Sequence, residues 1–356
     1  MTHRHRIASY DVMRIIAILL VLYNHLPGYR VGYLSPAGPL DGSLLACVLT
    51  RIGVPLFAMV SGALLLGRNE TYGELWRRRI SRMLMVVVVF EGLLYVEFHL
   101  TRPYPISLGD FLTGMLGGTL RGMTSYWFLY AYLGFLLMLP FLRRVAQALT
   151  RADFVWLVAL HVLLTTGPTL AAFVSRIVGC ERPVVSPSLE VSLASVALYF
   201  YPLIGYWLDR NIDVTRLTRR HWTLIGLATA AGMLVSAAMT WHRNAHSSAP
   251  TEAYLGLTVY VTAAAVFLAV KRCFDAGYAL RHPRLNSVLC LVGSLVFGVY
   301  LLDQYLKLVL YEPLSHALRP ALGAVGYSLV WCGVSLVVCG AATWELKRLP
   351  VFRKLL

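Results

Sequence analysis

Apolar residues fall along this chain in long blocks rather than in the one-faced or alternating stripes of a soluble fold. Ile15 to Leu22 is one unbroken run, and MLMVVVVFEGLLYV (Met83 to Val96) is another. About 20 mostly apolar residues cross the ~30 Å hydrocarbon core of a bilayer as a helix. Backbone polar groups cannot stay unpaired in lipid, so such blocks read as helical spans; strands of a membrane barrel would alternate, and these blocks do not. The pattern predicts an all-α, polytopic transmembrane helix bundle of about ten spans. They lie near 9–27, 43–67, 80–99, 125–142, 153–174, 190–208, 222–241, 254–272, 286–309 and 321–344. The stretch 108–120 (LGDFLTGMLGGTL) is too short to span beside its neighbour and reads as an interfacial or re-entrant helix. With no internal repeat and no soluble segment, 1–356 reads as a single integral membrane domain.

Composition agrees. Apolar residues make up 58% and charged residues 14% of the 356 positions, against about 25% charged in soluble chains. The mean hydropathy is +0.65. A net charge of +15 invites a nucleic-acid reading, but the basic residues punctuate the apolar blocks instead of gathering on one face. Six cysteines without a CxxC pair indicate neither a zinc site nor a disulfide framework. The start of the chain has the basic-then-apolar look of a signal peptide, yet Asp11 and Arg14 interrupt the run and no small-residue cleavage site follows. It reads as a retained first span.

The distribution of charge sets an orientation. With the N-terminus inside, 22 Lys and Arg fall on inner segments and 8 on outer ones, with Arg14 and Arg51 inside spans. The inner groups include Arg4 and Arg6, the run RNETYGELWRRRISR (Arg68 to Arg82), and Arg143, Arg144 and Arg151. The outer ones are Arg30, Arg102, Arg121, Arg176, Arg182, Arg243, Lys307 and Arg319. This bias predicts an even number of spans with both termini cytoplasmic. A full span at 108–120 would throw the later arginine loops outside.

Ionisable residues inside spans cost roughly 2.5–3.5 kcal/mol each, which makes each a candidate for function. The first span, YDVMRIIAILLVLYNH (Tyr10 to His25), is the richest. Asp11 and Arg14 stand three apart, within pairing reach on a helix. Arg14 and His25 stand eleven apart, about three turns, on one face and separated by roughly 16 Å. Glu91 lies mid-membrane in the third span, where it could orient or accept a proton from His25. Arg51 opens the second span, whose Ser61 and Gly62 suit close helix packing. The dense Arg68-to-Arg82 run serves as a topology signal or as the seat of an anionic ligand, since arginine forks suit phosphates. Asp303 and Gln304 fall late in the ninth span. Nucleotide-hydrolysis, serine-hydrolase-elbow and zinc-protease motifs are missing.

The opening YDVMRIIAILLVLYNH is similar to the first-span signature of the acyltransferase-3 family of integral membrane O-acyltransferases, in which an Arg and a His are separated by ten residues; here they are Arg14 and His25. RIGVPLFAMVSGALLL (Arg51 to Leu66) resembles that family's second span. WRRRISR (Trp76 to Arg82) resembles its cytoplasmic Arg-x-Arg element through Arg77 and Arg79. YWFLYAYLGFLLMLP (Tyr126 to Pro140) and FGVYLLDQ (Phe297 to Gln304) resemble later elements, with Asp303 where the family has a histidine. The second span looks closest to the small glycan O-acetyltransferase branch.

The resemblance implies transfer of an acyl group, acetyl from acetyl-CoA above all, to a hydroxyl of a surface glycan or its lipid-linked saccharide precursor in a bacterial inner membrane. His25 would act as base or acyl carrier, and Arg14, steadied by Asp11, would hold the donor or stabilise developing charge. Arg77, Arg79 and Arg82 would hold the CoA phosphates. No metal and no nucleic acid are implied; membrane lipids are partners throughout. Two rivals follow from the same residues: a proton-coupled transporter or flippase using Asp11, Glu91 and Asp303, and a structural partner of a glycan-assembly complex.

Overall fold

The computed structural model describes residues 8–29, 42–100, 106–118, 120, 126–180, 191–246 and 255–356, and among them there is helix but no strand. Arg4, Arg6, Arg30, Arg102, Arg121 and Arg182 of the charge pattern lie outside the described residues. In chain order the helices are α1 (Ser9–Asn24), α2 (Gly42–Thr50), α3 (Gly53–Leu65), α4 (Tyr72–Leu75), α5 (Ser81–Leu100), α6 (Leu108–Gly117), α7 (Trp127–Ala148) and α8 (Arg151–Val178). They continue with α9 (Ser192–Ser195), α10 (Ala197–Asn211), α11 (Arg219–Ala245), α12 (Gly256–Cys273), α13 (Ala276–Arg281), α14 (Pro283–Leu346) and α15 (Pro350–Leu355). A π-helical turn, Trp76–Ile80, joins α4 to α5.

Among the described residues, seven helical stretches are long and apolar enough to cross a membrane, α2 and α3 counting together as Ser43–Leu65, where the apolar pattern predicts about ten spans. The difference lies in α1, α10 and α14. Helices α1 and α10 have only 16 and 15 residues, short of the ~20 that span unaided. The segments 286–309 and 321–344 run together in α14, which continues unbroken until Gly323 (φ +67°, ψ −177°). Only a residue without a Cβ takes that φ cheaply.

The polarity of the peripheral helices is inverted relative to a soluble protein. On α8, Trp156, Leu163 and Val178 are exposed while His161, Thr166 and Ser175 are buried. On α11, Leu224, Leu227 and Leu234 are exposed while Ser236, Thr240 and Asn244 are buried. Apolar surface outward and hydrogen-bonding groups inward is the arrangement lipid demands, and the chain is an integral membrane protein.

The centre is built on small residues. A Cβ on Gly62 of α3 would stand 1.9 Å from the carbonyl oxygen of Pro202, and one on Gly205 of α10 would stand 2.1 Å from that of Met59. Backbones therefore touch at this crossing, and any side chain would force the helices apart. Helix α1 packs against the same core: a Cβ on Gly53 would meet Val21 and Ala17, and one on Gly293 would meet Asp11. Helix α6 is ten residues long, too short to span, and rests on α5 through Phe111 against Tyr95.

Candidate functional site

A cavity of about 1520 Å³ runs through the bundle. Its direction is given by the helices that line it. On α3 and the turn before it the lining residues are Arg51, Val54, Pro55, Phe57, Ser61, Leu64 and Leu65, spread along the length of the element. Arg51 and Leu65 are thus about 21 Å apart at 1.5 Å per residue. On α8 the lining recurs at His161, Thr165, Thr169, Phe173 and Arg176, again along one face. The cavity is an elongated passage. Gly62 serves the helix crossing, as its sequence setting suggests, whereas its neighbour Ser61 faces the passage.

Helix α1 forms one wall through Arg14, Val21, Asn24 and His25, so the shared face expected from spacing is the one turned to the cavity. Arg14 Nη1 donates to Asp11 Oδ1 at 3.2 Å. Asp11 is buried and stands behind that wall. His25 closes the helix as its C-cap, its backbone N–H donating to Leu22 O. Pro27 follows two residues on, and a proline disfavours helix in the residue before it. The imidazole is exposed toward the cavity and makes no hydrogen bond to a described residue, which leaves both ring nitrogens to a ligand. Asn24, beside it, donates to Thr50 O at 3.0 Å, and Arg51 lies over the Tyr29 ring at 5.0 Å.

Behind His25 lies a buried charge pair. Asp303 is fully buried, its Oδ2 2.6 Å from Lys307 Nζ, and its Oδ1 accepts from Trp331 Nε1 at 3.0 Å and Ser335 Oγ at 2.8 Å. Both members of the pair act electrostatically on His25. Sequence reasoning marks Asp303 as a departure from the family pattern. Its salt bridge with Lys307, four residues on, is the i,i+4 pair that helical spacing allows.

The arginine run divides. Arg78, Arg79 and Arg82 line the cavity; Arg77 is exposed and lies outside the lining. Of the two arginines that the motif pairs, only Arg79 lines the cavity in this structure. Arg82 donates from Nε and Nη2 to Leu355 O at 3.2 Å. Arg79 donates from Nε at 2.9 Å and from Nη2 to the carboxylate of Glu70, and Arg143 Nη2 reaches the same carboxylate at 2.7 Å. The hydrogen bond from Arg79, followed by that from Arg143, holds the Glu70 carboxyl down at about 2.

Glu91 is not brought to the cavity. It is buried and accepts a hydrogen bond from Tyr130 Oη, and it satisfies its cost in the membrane through that phenol. Sequence reasoning also passes over groups that the structure places on the lining or beside it. Arg143 enters only the charge count, and Glu70 sits unremarked in the arginine loop. His161 falls within the predicted span 153–174, so its presence there was itself a signal. Its Nδ1 is 2.6 Å from Ala194 O, and its ring stacks on Phe200 with centroids 3.7 Å apart. Since a carbonyl only accepts, Nδ1 carries the proton. No group of three or more His, Cys, Asp or Glu among the described residues could hold a metal.

A family model described as an acyltransferase domain matches residues 7–344. No curated protein and no solved structure matches the chain.

Proposed function

Since the chain belongs to the acyltransferase-3 family and is therefore read as a membrane acyltransferase, we propose that it is an O-acetyltransferase that takes its acyl group from acetyl-CoA. The acceptor in this reading is a hydroxyl of a cell-surface glycan or its lipid-linked precursor. The observation that carries it is that one and the same passage is lined by Arg79 and Arg82 and by Arg14 and His25. A donor with phosphates at one end and a thioester on a long arm has that shape of demand. The family assignment is what separates this reading from the transporter alternative.

In this reading about ten segments cross the membrane and both termini are cytoplasmic. The arginine end of the passage opens to the cytosol, where acyl-CoA is found, and the enzyme sits in a bacterial inner membrane. Arg79 and Arg82 receive donor phosphates as charge-assisted hydrogen bonds, with Arg78 as a further cation. His25 takes the proton from the acceptor hydroxyl as its oxygen attacks the thioester carbonyl; the C–S bond breaks, and the proton passes to the departing thiolate. Carriage of the acyl group on the imidazole is the other use of the same side chain. Arg14, fixed by Asp11, lies on the donor's path and offsets negative charge developing there.

The test uses the purified full-length chain in detergent. Radiolabelled acetyl-CoA should bind, and label should pass into the membrane glycan of the producing cells as an alkali-labile ester. Failure of acetyl-CoA to bind would overturn the donor assignment. Binding without transfer to any glycan fraction would overturn the acceptor class.

A further inference from the structure

The Arg79 guanidinium reaches the passage with one edge already committed. Glu70 accepts from Nε and Nη2, which is the side-on edge of the fork. The end-on edge, with Nη1, makes no hydrogen bond to a described residue, and Arg79 lines the cavity. Glu70 is itself held at its root and packed in. It precedes Thr71, whose capping box with Glu74 fixes the start of α4, and its side chain is only 10% exposed. From behind, Arg143, 7% exposed, donates through Nη2 to Glu70 Oε2 and through Nε to Leu65 O at 3.0 Å.

A tie between the end of α3 and α7 exists without Glu70. Arg143 to Leu65 O and Gln147 to Leu66 O, at 3.2 Å, already provide it. What Glu70 adds is the orientation of Arg79. Two guanidinium groups share one carboxylate, so the cluster keeps a net positive charge, and of the two cations only Arg79 faces the passage. Ordering a long, rotamer-rich side chain before a ligand arrives removes a cost that binding would otherwise carry.

Resting on the donor reading above, we infer that Glu70 is a positioning residue for the donor: anchored by Arg143, it presents the end-on edge of Arg79 to a phosphate of the nucleotide. The opposite role is also chemically possible for a carboxylate on an arginine, namely competition with the ligand for the same fork. The two roles differ in sign. A positioning residue weakens donor binding when removed; a competitor strengthens it.

The experiment measures CoA affinity for the full-length protein and for Glu70→Gln, Arg79→Ala and the double variant, each checked for normal membrane abundance. Glu70→Gln should bind CoA roughly tenfold more weakly, the scale of one positioned charge-assisted hydrogen bond. In the Arg79→Ala background the same change should have almost no further effect, because the group being positioned is gone. Unchanged or tighter binding in Glu70→Gln overturns the inference, and so does a penalty that persists undiminished without Arg79, which would mark a structural tie. If Arg79→Ala alone leaves CoA affinity unchanged, the donor reading fails instead. Should Glu70→Gln fail to accumulate, Glu70→Asp keeps the charge but not the two-pronged reach, and the same cycle applies with the same outcomes.

Discussion

The two charged regions of the passage are built on opposite plans. Among the arginines that line it, Arg79 is tied down by Glu70 and Arg82 by the carbonyl of Leu355. At the end of α1 the reactive candidate is left open, since the His25 ring faces the cavity without a hydrogen bond to a described residue. Rigid donors suit a task that begins and ends with holding a phosphate. A group that must accept a proton and give it back works better when no protein partner competes for its nitrogens. The contrast predicts that damage to the first region appears as weaker binding and damage to the second as lost turnover.

The largest effect should come from His25. His25→Gln keeps hydrogen-bonding capacity but loses proton transfer near neutral pH, and it should lower acetyl transfer by roughly 10²–10⁴-fold while CoA affinity stays within about twofold. Both quantities can be read from one preparation. Near-normal turnover in that variant would remove His25 from the chemistry. Arg14→Lys should follow, severely impaired rather than mildly so, because the planar fork that pairs with Asp11 is replaced by a point charge.

Some of this design can be read directly along the chain. The eleven-residue step from Arg14 to His25 placed both on one helical face before any packing was known, and that face lines the cavity. The seven long spans were visible for the same reason: apolar blocks of span length have few alternatives. Other features depend on contacts distant in sequence. Whether α1 crosses as a short central helix depends on what encloses it, and that is set by Gly53 and Gly293 on other helices. The carboxylate of Glu70 and the guanidinium of Arg143 are 73 positions apart, so no local pattern joins them. Arg77 and Arg79 show what the letters leave open: the motif pairs them, while only Arg79 lines the cavity.

That division gives the next prediction. Arg79→Ala should weaken CoA binding by roughly 10- to 100-fold, the range for a lost hydrogen bond to a charged group. Arg77→Ala, on the outer side of the π-turn, should change it by less than about twofold, as for other surface substitutions. Titration of CoA against the two variants decides the matter. Equal losses would restore the paired-arginine reading and with it a different docking of the nucleotide; a loss in Arg77→Ala alone would mean that the ligand lies outside the passage.

The smallest expected effect is a pH dependence of stability from the tethered region, and its sign is fixed by the direction of one shift. Glu70 is held at about 2 in the folded protein, below its ordinary value of 4.5. A carboxyl depressed in this way contributes stability that is fully present above the unfolded value and is lost as pH falls through the folded one. The difference in thermal stability between the native chain and Glu70→Gln should therefore be constant from pH 7 down to about 5 and shrink steadily between about 4.5 and 2. Differential scanning measurements in a detergent that tolerates acid give this difference directly, and other carboxylates largely cancel because both proteins carry them. A gap that stays level down to pH 3 would mean that Glu70 does not hold its proton-free form against Arg79 and Arg143. The arginine region would then be as loosely set as the histidine end, and the contrast between the two would disappear.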